Sequence, residues 1–443
     1  MRQFDYKLIV IGGGPAGRAA ANGAAKEIKK SEGKIAIVES GALGGATVSA
    51  LDDPTRALLK ATWKEKELAE SGISGEMPLH YDDEKANWIR TAATRKEQEK
   101  AKAELAENKI VYYRGRAHFL NPYEIMVGDK KISAPRFIIA TGSSVDTSEL
   151  AGTDKTTVLT PATAYRLKQL PGTMAIIGAG STGCEMAEYF ASSGVKVLLI
   201  DAMEQILPRE DTEISEWFQN YFTKKLGMKI LTRAQAIKVE DGAVTVLING
   251  RQHIISIDMV TLATGGKPNV GGLALENAKV RYSKNGISVD RGLETSSKHI
   301  WAAGDVIGGE SSYIKACYEG VVAMTNAIKR AHGMVNYGGM IRTTWTSPEI
   351  AKVGMNEREC QAARIRGIKK ALTFGENGFI KMIADKSGVI LGATIVASDA
   401  GLMAHEISLA VRYGMKVAEL GTTPHEKTAD FVKMAARGCG GWI

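Results

Sequence analysis

The sequence predicts an α/β protein with two Rossmann-like dinucleotide-binding domains and a C-terminal α+β domain. Three observations carry this. An apolar strand runs into a GxGxxG turn near the N-terminus, and the same arrangement returns after residue 173. Each turn is followed by a helix and then by a second apolar strand that ends in an acid. From Arg342 onward the pattern changes to alternating strands and helices.

The 443 residues suffice for about three domains. A hydrophobic content of 44% and a charged content of 24% are those of an ordinary globular chain. The net charge of +8 predicts a surface that attracts anionic cofactors. The basic residues form no recognisable nucleic-acid module, so nucleic acid is not an expected partner. No apolar run reaches the roughly 18 residues a membrane span needs. The N-terminus runs straight into a strand and shows no signal peptide. The four cysteines, Cys184, Cys317, Cys360 and Cys439, form no CxxC or CxxxxC unit. This argues against a disulfide scaffold or a metal site and places the chain in a reducing, cytoplasmic setting.

The first turn lies in YKLIVIGGGPAG, Tyr6 to Gly17. The run Leu8–Ile11 reads as a buried parallel strand. Gly12 allows the tight turn and Gly14 lets the backbone approach a pyrophosphate. Gly17 lets the following helix lie close to the strand, and Pro15 and Ala16 open that helix. The next strand, Lys34–Val38, ends at Glu39, an acid able to accept the hydroxyls of an adenosine ribose. Trp63 to Lys109 is rich in Lys, Glu and Ala and reads as helical with a solvated charged face. Short strands follow from Ile110 to Ile139, and the last runs into Ala140-Thr141-Gly142.

The second copy starts at Met174–Ile177 with Gly178-Ala179-Gly180-Ser181-Thr182-Gly183 and a helix carrying Glu185. Its strand Val195–Ile200 ends at Asp201, and its Ala-Thr-Gly is Ala263-Thr264-Gly265. A whole domain is repeated, so two dinucleotides are expected. Asp201 favours a free ribose over a 2′-phosphate, and Ala202-Met203-Glu204 bring no arginine; NADH is therefore expected over NADPH. Next come Ala303-Gly304-Asp305 and a helix, Lys315–Ala327. The C-terminal part reads as strands Phe379–Ala384 and Gly388–Val396, then helices Met403–Tyr413 and Thr428–Arg437. Such a domain is an expected dimerisation module. The Gly438–Gly441 tail reads as mobile.

The ordered set GGGPAG, a Gly44-Gly45 pair with Arg56 eleven residues on, ATG, GAGSTG-x-E, ATGGKPN and AAGD resembles the flavin disulfide reductase family. Its members include dihydrolipoamide dehydrogenase, glutathione reductase and mercuric reductase. The likeness covers Asp5 to about Arg437, and Gly378–Val411 is similar to the interface domain of dihydrolipoamide dehydrogenase. It implies FAD in the first fold, with Asp305, Lys315 and Ala316 near it, and a nicotinamide dinucleotide in the second. The implied domains are 1–148 (FAD-binding, first part), 149–270 (NAD(P)H-binding), 271–335 (FAD/central, second part) and 336–443 (interface). The implied assembly is a homodimer.

The family pattern GG-T-C-x4-C-x-P-S-K meets Gly44-Gly45-Ala46-Thr47-Val48-Ser49-Ala50-Leu51-Asp52-Asp53-Pro54-Thr55-Arg56 without a gap. Thr47 and Asp52 stand at the two cysteine positions and Arg56 at the lysine. Neither Thr nor Asp cycles between thiol and disulfide. At the C-terminus, aligned on Thr428, Glu426 stands where the family has its acid/base histidine, and His425 is one residue early. Arg56 and Glu185 match in kind the Lys–Glu pair beside the flavin. The alternatives are a surface ion pair for Arg56, a helix-face acid for Glu185 and a turn cap for Asp52. Ser181 stands where some relatives carry an aromatic gate, and its small side chain leaves the pocket open.

The expected activity is hydride transfer from NADH through FAD to an external acceptor such as a quinone, without a redox disulfide. The alternatives are an electron-transfer or regulatory flavoprotein with a protein acceptor, and a pyridine nucleotide transhydrogenase. Arg56, Glu185, Thr47, Asp52 and Glu426 are the candidate catalytic residues. The expected cofactor contacts are Gly12, Gly14, Pro15, Ala16, Gly17, Glu39, Gly44, Gly45, Ala46, Thr47 and Arg56 with Ala140, Thr141 and Gly142. In the second fold they are Gly178, Gly180, Ser181, Gly183, Glu185, Asp201, Ala263, Thr264 and Gly265, with Gly304, Asp305, Lys315 and Ala316 beyond it.

Overall fold

In a computed structural model of the chain, all residues are described except 1–2, 29–32, 46–51, 71–82, 147–149, 153–157, 376–377, 425–429 and 441–443. At 52–54, 65–70, 83, 375, 430–431 and 440 the backbone alone is described. Ala46, Thr47, His425 and Glu426 therefore lie outside the described residues, as does the side chain of Asp52.

Two five-stranded parallel sheets share one plan. In the first, the spatial order is Ile300–Ala302, Phe137–Ile139, Leu8–Ile11, Ile35–Glu39, Val111–Arg114. In the second it is Lys229–Leu231, Lys196–Ile200, Thr173–Ile177, Met259–Leu262, Val158–Leu159. Leu8–Ile11 and Ile35–Val38 are buried on both faces, which is why their sequences are unbroken apolar runs. In each sheet the glycine turn leaves the middle strand, between the acid-ended strand and the Ala-Thr-Gly strand. The strand order reverses there, and such a reversal opens a crevice at the carboxyl ends. An antiparallel ribbon, Ser143–Val145 against Gly266–Pro268, ties the two folds together just beyond their Ala-Thr-Gly stretches.

The third sheet is antiparallel, in the order Ile341–Thr344, Glu349–Gly354, Ile390–Ala397, Gly378–Ala384, Lys369–Gly375. One face is covered by the helices Ala400–Tyr413 and Asp430–Gly440 through an apolar core that includes Ile380, Ile395, Ala404 and Ala435. The other face carries a polar row, because Lys352 and Lys381 both lie in register with Thr394. This row meets the start of the helix Thr212–Lys225. Lys381 contacts Glu357 at 2.6 Å, Glu213 at 2.9 Å and Asp211 at 3.0 Å. Lys352 pairs with Glu359 at 3.0 Å and donates to Arg209 O at 3.3 Å. Glu210 accepts from Thr394 Oγ1.

Burial raises the Glu210 carboxyl from its ordinary 4.5 to about 7, against the pull of Lys352. Between those values the folded chain binds a proton that the unfolded chain has released. The Glu210 contribution to stability is therefore present below pH 4.5 and is lost as pH rises to about 7. Glu210→Gln should remove this dependence. Relative to wild type, the variant should gain stability with rising pH, by up to about 3 kcal/mol at pH 8. Urea titrations of both proteins at pH 5 and pH 8 check this; parallel changes would sink it.

In the stretch read as helical from Trp63 to Lys109, the described residues form the helices Asp52–Glu70 and Asp83–Glu107, and the first begins eleven residues earlier than read. Lys109 has a left-handed φ of 54° and ends the second. The helix expected at Met403 starts at Ala400, and the last helix runs Asp430–Gly440. The reading of Gly438–Gly441 as mobile is corrected for its first three residues, which are helical. Cys439 sits in the apolar core of the third sheet at 2% exposure, its thiol on Met382 O, so apolar burial extends the helix through the glycines.

Candidate active site

The two glycine turns obey the same steric rules. A Cβ on Gly12 would lie 2.1 Å from Ala140 O, and one on Gly178 would lie 2.4 Å from Ala263 O. A Cβ on Gly17 would meet Gly12 O at 1.9 Å, and one on Gly183 would meet Gly178 O at 1.8 Å. Strand end, turn and helix start are thus packed backbone to backbone. The second glycines differ. Gly14 and Gly180 have ordinary extended backbone, φ −73° and −72°, and a Cβ on either would touch no atom within 4 Å. Each is the N-cap of its helix, without a side-chain cap and without an acid in the first turn.

The strand-end acids are bound into these turns in matching ways. Glu39 accepts from Gly13 N–H at 2.7 Å and Gly41 N–H at 2.6 Å. Asp201 accepts from Ala179 N–H at 2.5 Å and Met203 N–H at 2.7 Å. Arg233, whose N–H donates to Met203 O, spends its guanidinium on Glu204 at 3.0 Å. Gly44 and Gly45 fold under the first turn, where Gly44 N–H donates to Gly13 O and a Cβ on Gly45 would lie 3.0 Å from Gly14 Cα.

Sequence reading missed Asn269, Ser143, Glu319 and Tyr337, which brace these parts. Asn269, four residues beyond the second Ala-Thr-Gly, binds the first: its Nδ2 donates to Thr141 O, and its backbone N–H donates to Gly142 O. Thr264 Oγ1 donates to Asp146 O. Asp305 accepts from Ser143 Oγ at 2.9 Å. The fully buried Glu319 accepts from Gly304 N–H at 2.7 Å and Tyr337 Oη–H at 2.6 Å, and pairs with Lys315 at 3.0 Å. Lys315 is thus turned onto Glu319, while Ala316 and Ala16 pack around Gly304. The i, i+4 spacing of Lys315 and Glu319 was the signal available in the sequence.

A cleft of about 1040 Å³ runs past the start of the helix Ser181–Ser192, from Asp201 to Glu185 and Arg56. Its far wall comes from the third sheet. Thr344 Oγ1 donates to Ser181 Oγ at 2.8 Å, Trp345 N–H to Glu185 Oε1 at 2.8 Å, and Ser347 N–H to Glu188 Oε2 at 2.8 Å. Arg56 Cζ lies 3.7 Å from the Trp345 ring centroid. The structure therefore brings Arg56, Ser181, Glu185 and Asp201 to one cleft. Gly12, Gly14, Pro15, Ala16, Gly17 and Glu39 lie at the first sheet's turn. Cys184, Cys317, Cys360 and Cys439 are all free thiols.

Residues 6–333 match the pyridine nucleotide-disulphide oxidoreductase model, and residues 340–427 match that family's dimerisation domain. The chain belongs to the pyridine nucleotide-disulphide oxidoreductase family. It is an oxidoreductase of this flavoprotein family, which depends on FAD and NAD(P)H. Mercuric reductase of Bacillus cereus is 32% identical, over 98% of this chain and 71% of its own. Dihydrolipoyl dehydrogenase of Thermus scotoductus is also 32% identical, over 95% of this chain and 94% of its own. Among solved structures, LpdA of Mycobacterium tuberculosis superposes with a TM-score of 0.86 at 25% identity, covering 97% of this chain and 99% of that one. The HOCl-induced flavoprotein disulfide reductase RclA of Escherichia coli shares the fold, with a TM-score of 0.84 at 22% identity, covering 97% and 99%. Among the described residues no helix is long and apolar enough to cross a membrane.

Proposed function

We propose that this chain is an FAD-dependent NADH oxidoreductase that reduces an external acceptor of the quinone class without a redox disulfide. The observation that carries the reading is the Gly44–Arg56 stretch, where Thr47 and Asp52 replace the family's two cysteines while Arg56 keeps the cation. The family's thiol acid/base histidine is replaced in step, by Glu426. The net reaction is NADH + H⁺ + quinone → NAD⁺ + hydroquinone.

Both nucleotides fit the residues present. Gly14 and Gly180 have no backbone or packing need to be glycine, so the space beside each suits a ligand that approaches the main chain. An uncapped helix start supplies the N–H groups and the positive dipole end that a pyrophosphate takes. FAD is assigned to the first turn, with Glu39, Gly44, Gly45, Gly142, Gly304 and Asp305 around it, and NADH to the second. Each strand-end carboxylate keeps acceptor capacity beyond its two main-chain bonds and can still bind ribose hydroxyls. Asp201 would repel a 2′-phosphate, and Arg233 is committed to Glu204; both favour NADH over NADPH.

Bound FAD would supply the two-electron relay between NADH and the acceptor. Arg56 places a cation on the cleft wall where negative charge develops. Glu185 is held by the Trp345 N–H and orients the nicotinamide end. Ser181, small and exposed, leaves room for the ring. A homodimer is part of the proposal: Leu402, Leu409 and Tyr413 form an exposed apolar stripe on the helix Ala400–Tyr413 within the matched dimerisation domain.

The test is anaerobic mixing of the purified protein with one equivalent of NADH, then menadione. Bleaching of the flavin by NADH and recovery with menadione are expected. Bleaching without recovery would replace the quinone with a protein acceptor, and no bleaching would overturn the reading.

A further inference from the structure

We infer that Trp345 is a positioning residue for flavin reduction: one side chain and its own main-chain N–H hold both members of the Arg56–Glu185 pair. The inference rests on the function proposed above. Ser181, Glu185 and Glu188 stand at i, i+4 and i+7 on their helix and so share one face. That face is met in order by Thr344, Trp345 and Ser347, each through one hydrogen bond near 2.8 Å. The loop after Ile341–Thr344 is thus seated on the helix that borders the cleft, and its first residue is Trp345.

Trp345 also lines the cleft and packs against the core beneath the helix, with Arg56 over its ring. Arg56 Nε is buried without a hydrogen-bond partner among the described residues. The indole face is thus one restraint on where the guanidinium sits, beside the attraction of Glu349. A delocalised planar cation suits an aromatic face, and a lysine ammonium would instead seek full hydrogen bonding. The Arg at this position, where the family pattern has Lys, is explained by the ring beneath it. Position matters because a cation acts on developing charge only when it is already in place.

The experiment is a double-mutant cycle on the FAD-loaded protein with Trp345→Leu, Trp345→Phe and Arg56→Lys. Two quantities are read: the midpoint potential of the flavin by dithionite titration, and the limiting rate of its reduction by NADH. Trp345→Leu should lower the potential and slow reduction about tenfold, within the range of a desolvated cation–π contact. Trp345→Phe, which restores a ring face, should recover most of both. In the Arg56→Lys background the Leu substitution should add little, since the two act through one contact. Unchanged potential and rate in Trp345→Leu, or effects that add across the cycle, would overturn the inference. If the Leu variant does not fold, Trp345→His, with a flat but poorer ring face, takes its place in the cycle. A wild-type flavin that NADH does not bleach would instead refute the proposed function, and the cycle would then be read from the potential alone.

Discussion

Lys381→Met is expected to cost about 3–5 kcal/mol of unfolding free energy, the loss typical when one partner leaves a buried ion pair. Lys381 is 3% exposed and lies within 3.0 Å of three carboxylates. Burial opposes its charge, yet the hydrogen bonds to Glu357, Glu213 and Asp211 outweigh this and hold its pKa above the ordinary lysine value. With the ammonium gone, Asp211, itself nearly fully buried, is left without the cation 3.0 Å from it. Glu213 and Glu357 would lose the partner that holds their pKa values down. The damage should not stop at stability. Arg209 and Glu210 precede Asp211 directly and line the cleft, so loosening this joint should also weaken NADH binding. Guanidinium titration and an NADH binding isotherm on the same variant check both effects. A loss below about 1 kcal/mol would mean that the row Lys352–Thr394–Lys381 is solvated in solution rather than clamped.

Much of this arrangement was legible because its causes are local. Gly12, Gly17, Gly178 and Gly183 are required by backbone contacts within a few residues or with an adjacent parallel strand, and a motif records such requirements directly. Glu39 and Asp201 stand at strand ends for the same reason. Trp345 could not be read, because it meets Glu185 across 160 residues of sequence. No periodicity marks a loop residue that acts through its main-chain N–H. The polar row on the third sheet was hidden differently. Lys352 and Lys381 each sit in alternating strand sequence, where a lysine reads as an outward-facing residue. Only the sheet register and the docked helix start show that this face is buried. The glycine-rich C-terminus misled because composition suggested a mobile tail, whereas Cys439 anchors it in an apolar core.

Alanine at the second and third glycines of each turn should give opposite kinds of damage. Gly17→Ala and Gly183→Ala put a Cβ 1.9 Å and 1.8 Å from a carbonyl oxygen of the same turn. Main chain cannot yield as a side-chain tip does, so the helix start must move off its strand. A displacement of about 1 Å at a reacting site costs on the order of 10²-fold in rate. Gly183→Ala should therefore remain yellow, with FAD bound, yet lose NADH-driven flavin reduction by about that factor. Gly17→Ala should be purified without flavin while its second fold still binds NAD⁺. Gly14→Ala and Gly180→Ala add a methyl group where no protein atom stands and where alanine adopts the backbone without strain. Their flavin-free melting temperatures should match wild type, while FAD or NADH affinity falls about tenfold or more, as expected when a side chain intrudes on a close backbone–phosphate approach. Flavin absorbance, calorimetric titration with NAD⁺ and thermal melting separate the four variants. If Gly14→Ala and Gly180→Ala keep full affinity, the open space beside them is not a phosphate cradle. If Gly17→Ala and Gly183→Ala each abolish both cofactors, the two folds do not bind their nucleotides independently.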